Sequence, residues 1–297
     1  MSQSPLALYK DLEAVYRPQR VWAEGRAATL VVAHFLSGVG AGGWLIGVVL
    51  GIPLVLSLSL AAIALSGVIH LAFLGHPERA WKMIIRPASS WISRGLWSIM
   101  IFLPTAALYL AGAYGAWSTR GAFAIVMLVI SLAAMAGIFL YKGFVYAVSR
   151  AVALWHSPLL PVSYIAIGVR GGAALGLIAL AFVSSSAGHQ VRTWWIAATC
   201  AAVFLFLLEL AMGQHDSTIA RSLRLLVRGD LAALFYTVVV LLGVIVPAAL
   251  MIASYPASIG KAGLIIAGVL SLAGDLGYKY CMNTAGTYIP IVQAQKR

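Results

Sequence analysis

Residues 28–50 read ATLVVAHFLSGVGAGGWLIGVVL, a run with no Asp, Glu, Lys or Arg. Such a run is long enough to cross a hydrocarbon core about 30 Å thick as a helix. Five glycines crowd into it: Gly38, Gly40, Gly42, Gly43 and Gly47. In a soluble helix each would cost about 0.5–1 kcal/mol relative to alanine. Between membrane helices there is little hydrophobic drive, and association rests on close backbone approach, which small residues allow. Gly38 and Gly42 are four apart, as are Gly43 and Gly47, so two small-residue faces are expected on one helix. Tight packing accounts for the glycines. It does not account for His34, one turn before them.

Similar apolar runs recur along the 297 residues, which are 62% hydrophobic and 9% charged, against roughly 25% charged in soluble domains. The chain therefore reads as an all-α polytopic membrane protein. Eight spans are expected, at about 28–50, 52–74, 92–114, 122–147, 162–184, 193–213, 231–253 and 262–282. A transmembrane barrel would need alternating ten-residue segments, which these continuous runs are not. An N-terminal segment (1–27) and a tail (283–297) flank the membrane domain (28–282), and the opening residues lack the apolar core of a cleaved signal peptide. Cys200 and Cys281 lie in apolar segments with no metal-ligand spacing. FLSGVGAGGWLIG (35–47) resembles YIAIGVRGGAALG (164–176), which suggests two related four-helix halves.

An even number of spans puts both termini on one side, here side A. Its segments hold Lys10, Arg17, Arg20, Arg26, Arg79, Lys82, Arg86, Arg150, Arg221, Arg224, Arg228, Lys296 and Arg297, with Arg94 at the edge of span three. The opposite side holds Arg120, Arg192 and Lys261. The positive-inside rule makes side A cytoplasmic, and a bacterial inner membrane with both termini inside is expected. Net charge +12 points to lipid headgroups or an acidic protein partner, not to nucleic acid.

Ionisable residues within spans are costly and usually functional. The candidates are His34, His70, Lys142, Arg170, Glu209 and Asp275, each on a different span and all expected in the side-A half, roughly 5–15 Å below that surface by helical rise. A purely structural role stands beside each: Arg170 could pair with Asp275 or Glu209 to hold helices together, and a lone histidine can serve packing. His76, His156, His189 and His215 fall in loops, where solvent explains them. Three classes of machine stay open. A quinone-reactive anchor needs a polar pocket in one leaflet and a basic docking face. A haem-b anchor needs axial histidines, which His34 and His70 could supply for one haem. A secondary transporter would place its charges near the midplane between broken helices, a pattern this sequence does not favour.

AHFLSGVGAGGWL (33–45), FLGHPERAWKMIIRPASSWISRG (73–95) and LYKGFVYAVSRAVALWHSPLLPVSY (140–164) resemble the NrfD-like family. These are membrane subunits of polysulfide reductase and related molybdenum–iron–sulfur oxidoreductases, close to the dimethyl sulfoxide reductase anchor type. The resemblance implies a bound quinone, menaquinone or ubiquinone, with no haem or iron–sulfur cluster in this chain. It also implies two partners, a ferredoxin-like iron–sulfur subunit and a molybdopterin catalytic subunit. His34 and Tyr141 match the family's quinone contacts. Thr29 or Leu30 stands where some members have asparagine, and Phe73 stands where many have histidine or aspartate. His70, one turn before Phe73 on the same face, is expected to replace that contact. Lys142, Arg170, Glu209 and Asp275 would then form a proton relay or charge network, and Arg79, Lys82 and Arg86 would dock the partner. With docking and pocket on a cytoplasmic side, substrates such as sulfite or a coenzyme A thioester are expected.

Overall fold

Gly51 turns the chain between the first two spans. Its φ of +64° is left-handed, and its N–H bonds back to the Gly47 carbonyl, closing α1 (Ala28–Leu50). Pro53 then opens α2 (Pro53–Phe73), where a missing N–H costs nothing. The hairpin needs no more linker than this.

The computed structural model describes residues 18–213, 216–253 and 259–287. Most of the N-terminal segment, the tail beyond Thr287, His215, and the basic residues Lys10, Arg17, Lys296 and Arg297 lie outside the described residues. After α2 come α3 (Trp91–Ala113), α4 (Ala122–Ala147), α5 (Leu159–Leu180), α6 (Gly188–Gly213), α7 (Ser217–Val227), α8 (Ala232–Ala253) and α9 (Lys261–Ala285). Among the described residues no strand forms, and eight helices, all but α7, are long and apolar enough to cross a membrane. The chain is an all-α integral membrane protein. Helices suit the bilayer because each satisfies its own backbone hydrogen bonds.

The spans fall into two groups of four. In the first, α1 packs on α2 and α4, and α3 bridges α2 and α4. In the second, α5 packs on α6 and α9, α8 packs on α9, and Phe206 of α6 meets Phe235 of α8. The repeat-bearing helices α1 and α5 join the two groups. Their windows are 67% and 61% buried, against 22–39% for the other six spans. Glycine makes this crossing possible: a Cβ on Gly42 would overlap the Gly168 carbonyl, and one on Gly172 would overlap the backbone of Gly42 and Gly43. Gly40, Gly43 and Gly47 instead face α2, so α1 carries a glycine face for each of two neighbours.

Four elements differ from the sequence expectation, one of them α6, which starts at Gly188 and not at 193 and so takes in His189. α5 starts at Leu159, not 162, where the Ser157 hydroxyl, just before the helix, accepts from the first helical N–H, that of Leu159, at 3.2 Å. The shift puts Arg170 at the middle of α5. The side-A connection after α6 is not a plain loop but contains α7, capped by Asp216, whose carboxylate accepts from Thr218 and Ile219 N–H. Leu223 and Leu226 of α7 are buried while Arg221, Arg224 and Arg228 face outward, an amphipathic pattern. Finally, Phe235–Ile245 of α8 is wound as a π-helix. In an α-helix the Gly243 carbonyl would take the amide of residue 247. That residue is Pro247, which has no N–H.

Candidate functional site

At the side-A end of the first group, α1, α2 and α4 bring His34, His70, Tyr141 and Tyr146 together. The His34 ring lies 5.1 Å from His70, 5.7 Å from Tyr146 and 6.3 Å from Tyr141, centroid to centroid. His34 is 7% exposed and Tyr141 5%. Gly95 of α3 makes room for the Tyr141 ring, since a Cβ there would overlap it.

A chain of hydrogen bonds assigns the protons. Tyr164 O–H donates to Asn283 Oδ1 at 3.1 Å, and Asn283 Nδ2 donates to the Tyr146 oxygen at 3.0 Å. Tyr146 then satisfies its own O–H by donating to His34 Nδ1 at 3.1 Å. An imidazole that accepts at Nδ1 carries its proton on Nε2. His70 has the reverse arrangement. Its Nδ1–H donates to the Ser66 carbonyl at 2.7 Å, which leaves Nε2 as an acceptor. That Nε2 is buried and has no partner among the described residues. Ser66 also donates to the Ala33 carbonyl at 2.6 Å, locking α2 to α1 beside both rings.

Behind His34, toward the second group, lies a cavity of about 20 Å³ with mostly apolar walls, into whose lining His34, Lys142, Tyr164, Asp275 and Lys279 bring polar groups. It has room for about one water. Lys142, 2% exposed, donates to the His34 carbonyl at 3.4 Å, and Lys279 lies 3.8 Å from the Tyr164 ring centre. Deeper, Arg170 is bonded on every side. It pairs with Asp275, donates to the carbonyl that Pro247 leaves free on Gly243, and donates from Nε to Thr199 at 3.0 Å. Trp195 lies under its guanidinium at 5.4 Å. One oxygen of Asp275, Oδ2, is buried with no hydrogen-bond partner among the described residues.

The predicted residues thus occupy distinct places. His34, His70 and Tyr141 share one cluster. Lys142 and Asp275 line the cavity behind it, and Arg170 is joined to that cavity through Asp275. Glu209 stands apart: its carboxylate accepts from Ser157 at 2.8 Å, in the connection before α5. Arg79, Lys82 and Arg86 are exposed on the α2–α3 connection. That connection is pinned by Arg94, which donates to the Pro87 and Ala88 carbonyls, and by Trp97, which donates to Ile84. Phe73 lies under the Arg26 guanidinium at 5.7 Å, and Arg26 also donates to the Ala72 and Leu74 carbonyls, capping α2. Sequence reasoning missed Tyr146, Tyr164, Lys279 and Asn283. The signal was there in part: YKY at 278–280 continues the face of Asp275 by one helical turn.

Eight spans fold around buried, hydrogen-bonded polar groups, running from the histidine cluster at the side-A end to the Arg170–Asp275 pair near mid-span and so deeper than the sequence expectation. They define a polytopic membrane protein with a polar interior. The family described as Polysulphide reductase, NrfD matches residues 27–290, and the chain belongs to it. A relative, one of the subunits of the sulfite dehydrogenase of Allochromatium vinosum, is 25% identical over 158 residues, covering 49% of this chain and 49% of that protein. The chain spans about half the length of that curated relative. The chain is thus an integral membrane protein of this family, similar over about half its length to one subunit of an oxidoreductase.

Proposed function

We propose that this chain is the quinone-reactive membrane subunit of a molybdenum–iron–sulfur oxidoreductase in a bacterial inner membrane. It would exchange electrons between the quinone pool and a ferredoxin-like iron–sulfur subunit, which serves a molybdopterin catalytic subunit. One observation carries the reading: the His34 and His70 rings lie 5.1 Å apart, and the partners of their Nδ1 atoms, a tyrosine hydroxyl and a carbonyl, fit opposite tautomers. Interconverting a quinone and its quinol moves two electrons and two protons, so the ring oxygens need both a donor and an acceptor. Nε2–H of His34 is the donor. The unpartnered Nε2 of His70 is the acceptor for a quinol hydroxyl. Tyr141 adds an aromatic wall beside His34. Menaquinone and ubiquinone satisfy the same pattern.

A cavity of about 20 Å³ is too small for a quinone ring, so the ring belongs at the histidines and the cavity behind them serves protons. Tyr146, held by Asn283 and through it by Tyr164, fixes the His34 tautomer, and a proton leaving His34 is resupplied from the cavity that His34 lines with Lys142, Lys279 and Asp275. Histidine suits this exchange because its two nitrogens donate and accept near neutral pH. A haem-b reading would need a porphyrin between His34 and His70. Their rings are in contact, which leaves no room for one and favours the quinone reading.

Arg79, Lys82 and Arg86, on a pinned connection beside the end of α2, form the docking platform for the iron–sulfur subunit. Positive charge on side A supports a cytoplasmic location for it. Sulfite is the terminal substrate most in keeping with the name of the Allochromatium vinosum relative. The test is quinol-linked turnover of the purified complex. His34→Ala should abolish it while the partner subunits still co-purify, and normal turnover in this variant would refute the site.

A further inference from the structure

α6 and α8 touch near side A, where Phe206 and Phe235 lie 5.2 Å apart. Toward the opposite side the space between them opens into a crevice of 560 Å³, within the range of about 300–1,000 Å³ typical of small-molecule sites. Its outer end is polar. Arg192 and His189 stand in the first turns of α6, and Arg192 lies about 6 Å along the helix, at headgroup depth. The Nε of Arg192 is buried and has no hydrogen-bond partner among the described residues. Among the described residues no carboxylate lines the crevice. Its walls are apolar, from Ile196 and Ala248 to Ile252, and reach Cys200 about 18 Å into the bilayer.

A slot with an arginine and a histidine at headgroup level and apolar walls running to mid-membrane matches one kind of molecule. We propose that this crevice binds an anionic phospholipid of the leaflet opposite side A. Its phosphate lies against Arg192 and His189, and one acyl chain lies along Ile196, Ala248 and Cys200. Arginine recognises phosphate oxygens through paired N–H groups, and the absent carboxylate favours a net negative headgroup over a zwitterionic one.

The inner wall of the crevice gives the lipid a consequence. Trp195 and Thr199 line it, and the same two residues hold Arg170, Thr199 by accepting from Nε at 3.0 Å and Trp195 by lying under the guanidinium. The acyl chain therefore forms the layer that keeps water away from the Arg170–Asp275 pair on this side. This assignment is independent of the quinone reading.

Native mass spectrometry of the purified chain, released from nanodiscs of phosphatidylglycerol and phosphatidylcholine in equal amounts, tests it. Wild type should retain one phosphatidylglycerol per chain, about tenfold over phosphatidylcholine. Arg192→Gln should bring that ratio near one. Arg192→Lys should keep most of the preference, and Ala248→Phe, with its charge intact, should lose the bound lipid because the slot is filled. Equal retention of the two lipids by wild type, which needs no variant, would overturn the proposal. So would an unchanged ratio in Arg192→Gln or an unchanged lipid count in Ala248→Phe.

Discussion

His34 and Tyr146, 112 positions apart in sequence, share a hydrogen bond of 3.1 Å between the Nδ1 and phenol oxygen atoms. The same oxygen accepts from Asn283 at 3.0 Å, so one hydroxyl ties α4 to α1 and α9. It also sets which nitrogen of His34 holds the proton. Tyr146→Phe keeps the ring that packs on Trp155 and Tyr164 but removes this control. Quinol-linked turnover should fall about tenfold with a changed pH–rate profile, a modest share of the roughly 10²–10⁴-fold typical of acid–base catalysis. An unaltered profile would mean the bond only packs.

His70→Ala removes the buried acceptor, and Tyr141→Phe removes a hydroxyl from the same cluster. Both should lower turnover, His70→Ala by roughly 10²-fold or more, with partner subunits still co-purifying. Glu209→Gln, which touches Ser157 and not the cluster, should leave turnover within about twofold if acid–base chemistry resides at the histidines. Steady-state quinol oxidation distinguishes the three.

The α1–α5 crossing has no space for side chains. Gly172→Leu should force the helices apart and cost at least about 1–3 kcal/mol, the range for overpacking, seen as a lower thermal midpoint in detergent. Gly188→Ala meets open space and should leave the midpoint unchanged.

Removing one partner of a buried ion pair costs about 3–5 kcal/mol. Arg170→Gln or Asp275→Asn alone should therefore destabilise the protein strongly, and the double variant by less than the sum of the two. Additive losses in thermal or denaturant unfolding would mean that Thr199, Gly243 and Trp195 hold Arg170 without help from Asp275.

Neutralising Arg79, Lys82 and Arg86 to glutamine should weaken capture of the iron–sulfur subunit. The loss should shrink as salt rises, because exposed charges are screened over about 8 Å at physiological ionic strength. Capture that is unchanged at low salt would move the docking face elsewhere.

Hydropathy alone located all eight spans to within a few residues, because a bilayer demands continuous apolar length and the chain supplies it in separate blocks. The misplaced edges are where polar residues take part in a helix. Ser157 and Pro158 lead into α5, and His189, Gln190 and Arg192 sit in the first turns of α6, where hydropathy alone reads loop. The α7 helix went unread for a related reason: its arginines dominate its composition, while its order lies in the spacing of Ile219, Leu223 and Leu226. Charged residues inside spans were legible because each is costly there. Tyr146, Tyr164 and Asn283 carry no charge, and aromatic residues near span ends are expected at any interface. Lys279, near the end of α9, reads as a snorkelling cation until the fold puts it under Tyr164. The glycines announced close packing, but their division between α2 and α5 needed the rotation of α1.

Binding of a fluorescent quinol analogue to the purified chain in nanodiscs tests the histidine site most directly. Wild type should bind one analogue per chain, His34→Ala and His70→Ala should each weaken binding at least tenfold, and Arg192→Gln should bind as wild type does. Undiminished binding by both histidine variants, with the proteins folded, would contradict the account.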